Sequence, residues 1–150
     1  GEMRDTEAYS AVEASLTGHT VVSTVHSGPA GAAHLRIALL CQKRFPIDFD
    51  TSLTQAAQAF PVVVYAHKLE NNERRCMDIS ECVIKQSGHR EYNCLYSYQI
   101  TKNTSENGKL TVEGHFRKPN FMSDSLKQRL IRYGVPQDLL DRFFRKESVG

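Results

Sequence analysis

Apolar positions along this chain follow two rhythms, and the change falls near residue 70. In the first part, Ala8, Val12 and Leu16 recur at helical spacing and predict a helix over about 6–16. Asp5 is placed to cap it, and Glu7 sits favourably in its first turn. Thr17-Gly18 breaks it. Residues 21–25 (Val-Val-Ser-Thr-Val) form a β-branched run with little alternation, the pattern of a buried parallel strand. After the turn residues Ser27-Gly28-Pro29, a second helix is predicted over about 30–43. Ala33, Leu35, Ile37, Ala38, Leu40 and Cys41 are its apolar surface, and Phe45-Pro46 ends it. Asp50 or Thr51 starts a third helix through Leu53, Ala56, Ala57 and Phe60. Residues 61–66 (Pro-Val-Val-Val-Tyr-Ala) read as a central strand. This alternation argues for an α/β layer built on a parallel sheet.

Past the polar turn at 70–73 the period shortens to that of strands. Three extended segments are predicted, over 75–85, 92–102 and 109–117, joined by turn chemistry at 86–89 and 103–108. They read as an antiparallel meander. Two short helices follow. Ser123 or Asp124 caps the first, Leu126, Leu130 and Ile131 face inward, and Gly134 stops it. Pro136 sits early in the second, whose apolar face is Leu139, Leu140, Phe143 and Phe144. The division implied is 1–69 for the α/β part and 70–150 for the meander and helices.

Composition narrows this only a little. The chain of 150 residues suits one domain, or a subdomain plus an appendage, and its 40% hydrophobic and 24% charged residues are ordinary globular values. A net charge of +2 is too small to argue for nucleic acid or membrane. The basic residues Lys127, Arg129, Arg132, Arg142, Arg145 and Lys146 are interleaved with acidic ones and read as solvated helix faces. Cys41, Cys76, Cys82 and Cys94 have no regular spacing, which fits reduced thiols better than a disulfide framework. Their combination with His19 or His26 matches no zinc spacing. Tyr92, Tyr96 and Tyr98 share parity, and without a basic surround they read as packing rather than base stacking. No stretch is long and apolar enough to span a membrane, and no signal or transit peptide is visible.

The chemistry gathers in residues 1–27. In an open parallel sheet, ligands bind beyond the carboxyl ends of the strands. His26 directly follows the run 21–25 and is expected at that edge. With an apolar strand just ahead of Gly1, Glu2 stands on the same edge, where a carboxylate can orient a water or contact Mg²⁺ for attack on a γ-phosphate. Thr17, Gly18 and His19 form the turn before the strand, and His19 reads either as a backbone-bonded turn residue or as a nucleotide contact. Asp5 reads as a helix cap or a site residue. Arg4 is a candidate for a subunit boundary, stabilising phosphate charge in trans. A complete site needs a glycine-rich loop ending in Gly-Lys-Ser or Gly-Lys-Thr, and no such stretch occurs in these residues.

GEMRD followed by EA, then TGHTVVSTVHS, resembles the Walker B end and histidine box of the type II/IV secretion-system ATPases. AFPVVVYAHKL, Arg74-Arg75, the stretch from Leu95 through Gly108 and Gly114 to Pro119, and LKQRLIRYGVP are similar to the pilus-assembly branch of the Gram-positive type. The resemblance implies the C-terminal part of a RecA-like P-loop ATPase core, followed by a three-stranded meander and two short helices. It implies that Glu2 is the catalytic Walker B glutamate and a possible water-mediated Mg²⁺ contact. Arg4 and Asp5 match the Arg-Asp pair, and Thr17, Gly18, His19, Thr24 and His26 match the histidine box, in nucleotide sensing or subunit contact. ATP and Mg²⁺ are the implied cofactors. The implied partners are five further copies in a hexamer and an integral-membrane secretion or pilus platform, at the cytoplasmic face of the cell membrane, with no nucleic acid. The chain is expected to be cut at Walker B and inactive alone. The alternative is a non-catalytic assembly module built on the same fold.

Overall fold

A computed structural model describes residues 1–144, with side chains through 142. The element order is β1 (Glu2–Met3), α1 (Glu7–Leu16), β2 (Thr24–Val25), α2 (Ala30–Gln42), α3 (Phe49–Ala59), β3 (Val62–Lys68), β4 (Arg74–Ile84), β5 (Arg90–Glu106), β6 (Lys109–Arg117), α4 (Asp124–Arg132) and α5 (Gln137–Phe144). Two sheets result: a parallel pair, β1-β2, and an antiparallel sheet ordered β3-β4-β5-β6. The protein is therefore mixed α/β.

The three early helices form where the apolar spacing predicts them, with corrected ends. Asp5 does not cap α1. Thr6 occupies the cap position without a side-chain bond, and Glu7 Oε1 reaches back to accept from the N–H groups of Arg4 (2.6 Å) and Asp5 (3.0 Å). Those N–H groups hold the Glu7 carboxyl below the usual carboxylate range. Asp5 turns outward to Lys43, 3.0 Å away. For α3 the cap is Asp48, two residues ahead of the predicted start, accepting from the Thr51 N–H at 2.9 Å.

Alanine explains how the helices meet. Ala8, Ala56 and Ala59 join Met3, Val12, Ile37, Leu40 and Cys41 in one core cluster, and small side chains let the helix backbones approach closely. Leu35, predicted as apolar surface of α2, is instead exposed.

Two strand expectations fail, for related reasons. Residues 21–25 do not form a five-residue buried strand: only Thr24 and Val25 pair, and Val22 is 87% exposed. Residues 61–66 are not a central parallel strand. They begin β3, the outer strand of the antiparallel sheet, with Val64 60% exposed. The meander thus has four strands rather than three. A β-branched run specifies extended backbone, but not its neighbours or their direction.

The remaining ladders follow the pattern. Lys109–Arg117 matches its prediction residue for residue, and β5 runs further than predicted, to the turn at Asn107 (φ 50°) and Gly108 (φ 76°). The register slips between Tyr65 and Ala66 on β3, opposite Met77, and between Ile79 and Ser80 on β4, opposite Leu95. The second of these bulges interrupts the simple alternation assumed for Tyr92 with Tyr96.

Ser123 caps α4, and Gly134 (φ 84°) ends it. Leu126, Leu130 and Ile131 are half-buried. In α5, Leu140 is buried and Leu139 is 42% exposed, while the side chains of Phe143 and Phe144, with Arg145 and Lys146, lie outside the described residues. No described helix is long and apolar enough to cross a membrane.

Candidate functional site

The parallel pair brings the first site together. Glu2 stands opposite Thr24 and Met3 opposite Val25, so His26, the residue after β2, comes level with Arg4 and its side chain reaches diagonally to Glu2. Glu2 Oε2 accepts from Arg4 Nη2 at 2.5 Å. His26 Nε2 lies 3.1 Å from Glu2 Oε1. That separation suits an ion pair when the imidazole is protonated, but the two atoms lack hydrogen-bond alignment, and Oε1 is a buried acceptor without a hydrogen-bond partner. Arg4, first, and then the electrostatic pull of His26 hold the Glu2 carboxyl below its usual range, against partial desolvation. Glu2 is largely covered while the His26 side chain is 91% exposed. The arrangement offers an ionised carboxylate with one free lone-pair direction, flanked by two cationic or donor groups that a polyanion can recruit.

Thr17, Gly18 and His19 are not brought to this point. They close α1 at its far end, a helix length of about 15 Å from its start. Gly18 (φ 100°) and the amides of Gly18 and His19, bonded to the carbonyls of Ser15 (3.3 Å) and Ala14 (3.0 Å), form a Schellman cap. The Thr17 hydroxyl donates back to the Glu13 carbonyl at 2.9 Å. His19 is exposed, and residues 20–23 separate this cap from β2. Asp5 pairs with Lys43 rather than with Glu2, Arg4 or His26. The structure therefore unites Glu2, Arg4, Thr24 and His26.

Two buried polar junctions escaped the pattern reading. His34, 0% exposed on α2, bridges layers: its Nε2 is 2.8 Å from the Phe60 carbonyl and its Nδ1 is 3.0 Å from the Tyr92 hydroxyl. A carbonyl only accepts, so Nε2 carries the proton and Nδ1 accepts from Tyr92. Burial lowers the His34 pKa and pushes the Tyr92 phenol up to about 12. Glu81, 2% exposed on β4, accepts from Asn93 Nδ2 (2.6 Å), the Ser123 N–H (2.6 Å) and the Ser123 hydroxyl (2.9 Å), fixing the start of α4. A polar residue at an apolar helical position, and a carboxylate inside a strand, were the available signals.

Among the described residues no group of three or more His, Cys, Asp or Glu is arranged to hold a metal ion. Glu2 Oε1 is a buried acceptor without a hydrogen-bond partner, and a single carboxylate oxygen does not make a direct multidentate metal site.

Fold and site define a mixed α/β protein with a carboxylate–histidine pair across two parallel strands. The model of the Type II/IV secretion system protein family matches residues 1–115, from β1 into β6, and the chain belongs to that family. Members of the family are ATPases. No curated protein matches the chain.

Proposed function

We propose that this chain supplies the hydrolysing and phosphate-sensing side of an ATP site in a secretion or pilus-assembly motor of the Gram-positive type. The observation that carries the proposal is the 3.1 Å approach of His26 to Glu2 across the parallel pair, with Arg4 on the other carboxylate oxygen. Glu2 stays ionised and orients the attacking water; its depressed pKa makes it a positioning group first and a proton acceptor late in the step. Arg4 and His26 respond to the γ-phosphate, since both bear donors beside the carboxylate and both are largely exposed. A bound Mg²⁺ supplies charge neutralisation on the phosphates. In this reading Asp5 and the Thr17–His19 cap act at subunit boundaries rather than on the water.

The phosphate-gripping loop, with no counterpart in these 150 residues, comes from residues outside them. The assembled enzyme is a RecA-like hexamer that passes ring motion to an integral-membrane platform from the cytoplasmic face. A second reading, a non-catalytic assembly module, is favoured by one fact: the chain holds no Gly-Lys-Ser/Thr loop. Steady-state turnover separates them. In the polypeptide that carries both halves, Glu2→Gln should lower ATP turnover by about a hundredfold or more while leaving ATP affinity intact. Undiminished turnover removes Glu2 from this role; no turnover in the unsubstituted protein supports the module.

A further inference from the structure

A carboxylate outside the site holds the turn that carries Arg4. The β1–β2 ladder ends at the Met3–Val25 pair and α1 begins at Glu7, so residues 4–6 belong to neither element. Thr6, at the cap position, makes no side-chain bond, and the Asp5 carboxylate goes to Lys43. Glu7 does what they do not: its Oε1 accepts from the N–H groups of both Arg4 (2.6 Å) and Asp5 (3.0 Å). Two successive N–H groups on one charged oxygen restrain the backbone between them. A negative charge in the first turn favours α1 by itself, but that does not explain where this one is aimed. Arg4 and Asp5 precede the cap, so neither N–H is among the helix's own unpaired donors. The side chain turns back over the chain, toward β1. Arg4 needs that restraint. Its side chain is 74% exposed, so packing guides it little, yet it ends 2.5 Å from Glu2 Oε2. A long, solvated side chain keeps such an appointment only from a fixed backbone origin.

We propose that Glu7 is a positioning residue for Arg4: it fixes the turn from which the guanidinium reaches Glu2, and so sets where that charge stands beside the attacked phosphate. This role rests on the functional reading above. Glu2, Arg4 and Glu7 then act in series, and the last of them touches no substrate. When Arg4 leaves Glu2 for a phosphate oxygen, its backbone stays anchored, so the exchange is a swing of the side chain rather than a movement of the turn. The consequence is kinetic. Arg4 meets the charge that develops in the transition state, so a misplaced Arg4 lowers kcat and leaves KM nearly unchanged.

Two substitutions at Glu7 separate positioning from helix support, in the polypeptide that carries both halves of the site. Glu7→Asp keeps the first-turn charge but is one methylene too short to reach back to the Arg4 N–H. Glu7→Gln loses the charge but keeps an oxygen at the same reach. Steady-state kinetics should show kcat about tenfold lower in Glu7→Asp, with KM within about twofold, and kcat close to the parent value in Glu7→Gln. The amides of Arg4 and Asp5 should exchange at least about tenfold faster in Glu7→Asp than in the parent. In a double-mutant cycle, Glu7→Asp should lower kcat little further once Arg4 is alanine, because it acts through Arg4. A helix-charge role gives the reverse order, with Glu7→Gln the poorer enzyme, and overturns the inference. Losses that multiply in the cycle, or amides that exchange as in the parent, overturn it as well. Full turnover in Glu7→Asp removes Glu7 from the mechanism and leaves Glu2 and Arg4 in theirs. A parent protein that hydrolyses no ATP overturns the functional reading itself, and this role with it.

Discussion

The parallel pair and the antiparallel sheet differ in how much of their bonding is completed within the chain. β1 and β2 share two residue pairs, whereas the β3–β4, β4–β5 and β5–β6 ladders run for seven, seven and nine. The chemistry-bearing residues all lie on the smaller unit, and they are mostly solvent-facing: Arg4 and His26 are 74% and 91% exposed. The antiparallel sheet carries few candidate reactive groups and instead anchors the helices through His34–Tyr92 and Glu81–Ser123. The site is therefore held from below, by Met3 and Val25 against the helical core, rather than by its own sheet. A two-residue parallel ladder is marginal alone, so its geometry depends on that packing and on whatever pairs with its open edge.

This contrast predicts a gradient of mutational effects. His34→Ala removes a fully buried ring and leaves the Phe60 carbonyl and Tyr92 hydroxyl without their partner, so unfolding free energy should drop by about 2–4 kcal/mol in denaturant titration. A loss as small as that of an exposed substitution would mean that helices and sheet are not joined there.

The same junction sets a pH window. His34 has a lowered pKa, so its contribution is complete above the unfolded imidazole value of 6.5 and declines as pH falls below it. Tyr92 is raised from 10 to about 12, so its contribution is complete below pH 10 and is lost as pH rises toward 12. Melting temperature against pH should show a plateau between these limits. Tyr92→Phe should flatten the alkaline limb, and an unchanged limb would locate the titration elsewhere. The smallest effect is expected at the site itself: Glu2→Gln should leave the melting temperature essentially unchanged, because its partners are exposed.

What the sequence made legible follows from locality. The helices over Glu7–Leu16, Ala30–Gln42 and Phe49–Ala59 were readable because their apolar spacing is internal to each segment. The β5–β6 hairpin was readable because the stretch 103–108 carries turn chemistry, although the strand runs on to Glu106 and the turn is made by Asn107-Gly108 alone. Pairing was not local. Nothing in Val62-Val63-Val64 records that its neighbour is β4, running antiparallel, and nothing in Val21-Val22 records that the ladder begins only at Thr24. At the site, Glu2 and His26 were legible as strand-edge residues and do meet. Asp5 and the Thr17–His19 cap were grouped with them by motif alone, and α1 keeps that cap a helix length away. His34 and Glu81 stayed hidden because a buried polar group is identified by its partners, and those lie from 12 to 58 residues away.

The central claim is that these residues supply the hydrolysing side of an ATP site without the gripping side. Titrating Mg-ATP into residues 1–150 by calorimetry tests it most directly. The account predicts no saturable binding tighter than about 1 mM, since the chain's described site offers one carboxylate, one guanidinium and one imidazole to a polyanion. Saturable binding in the micromolar range, accompanied by phosphate release, would contradict it.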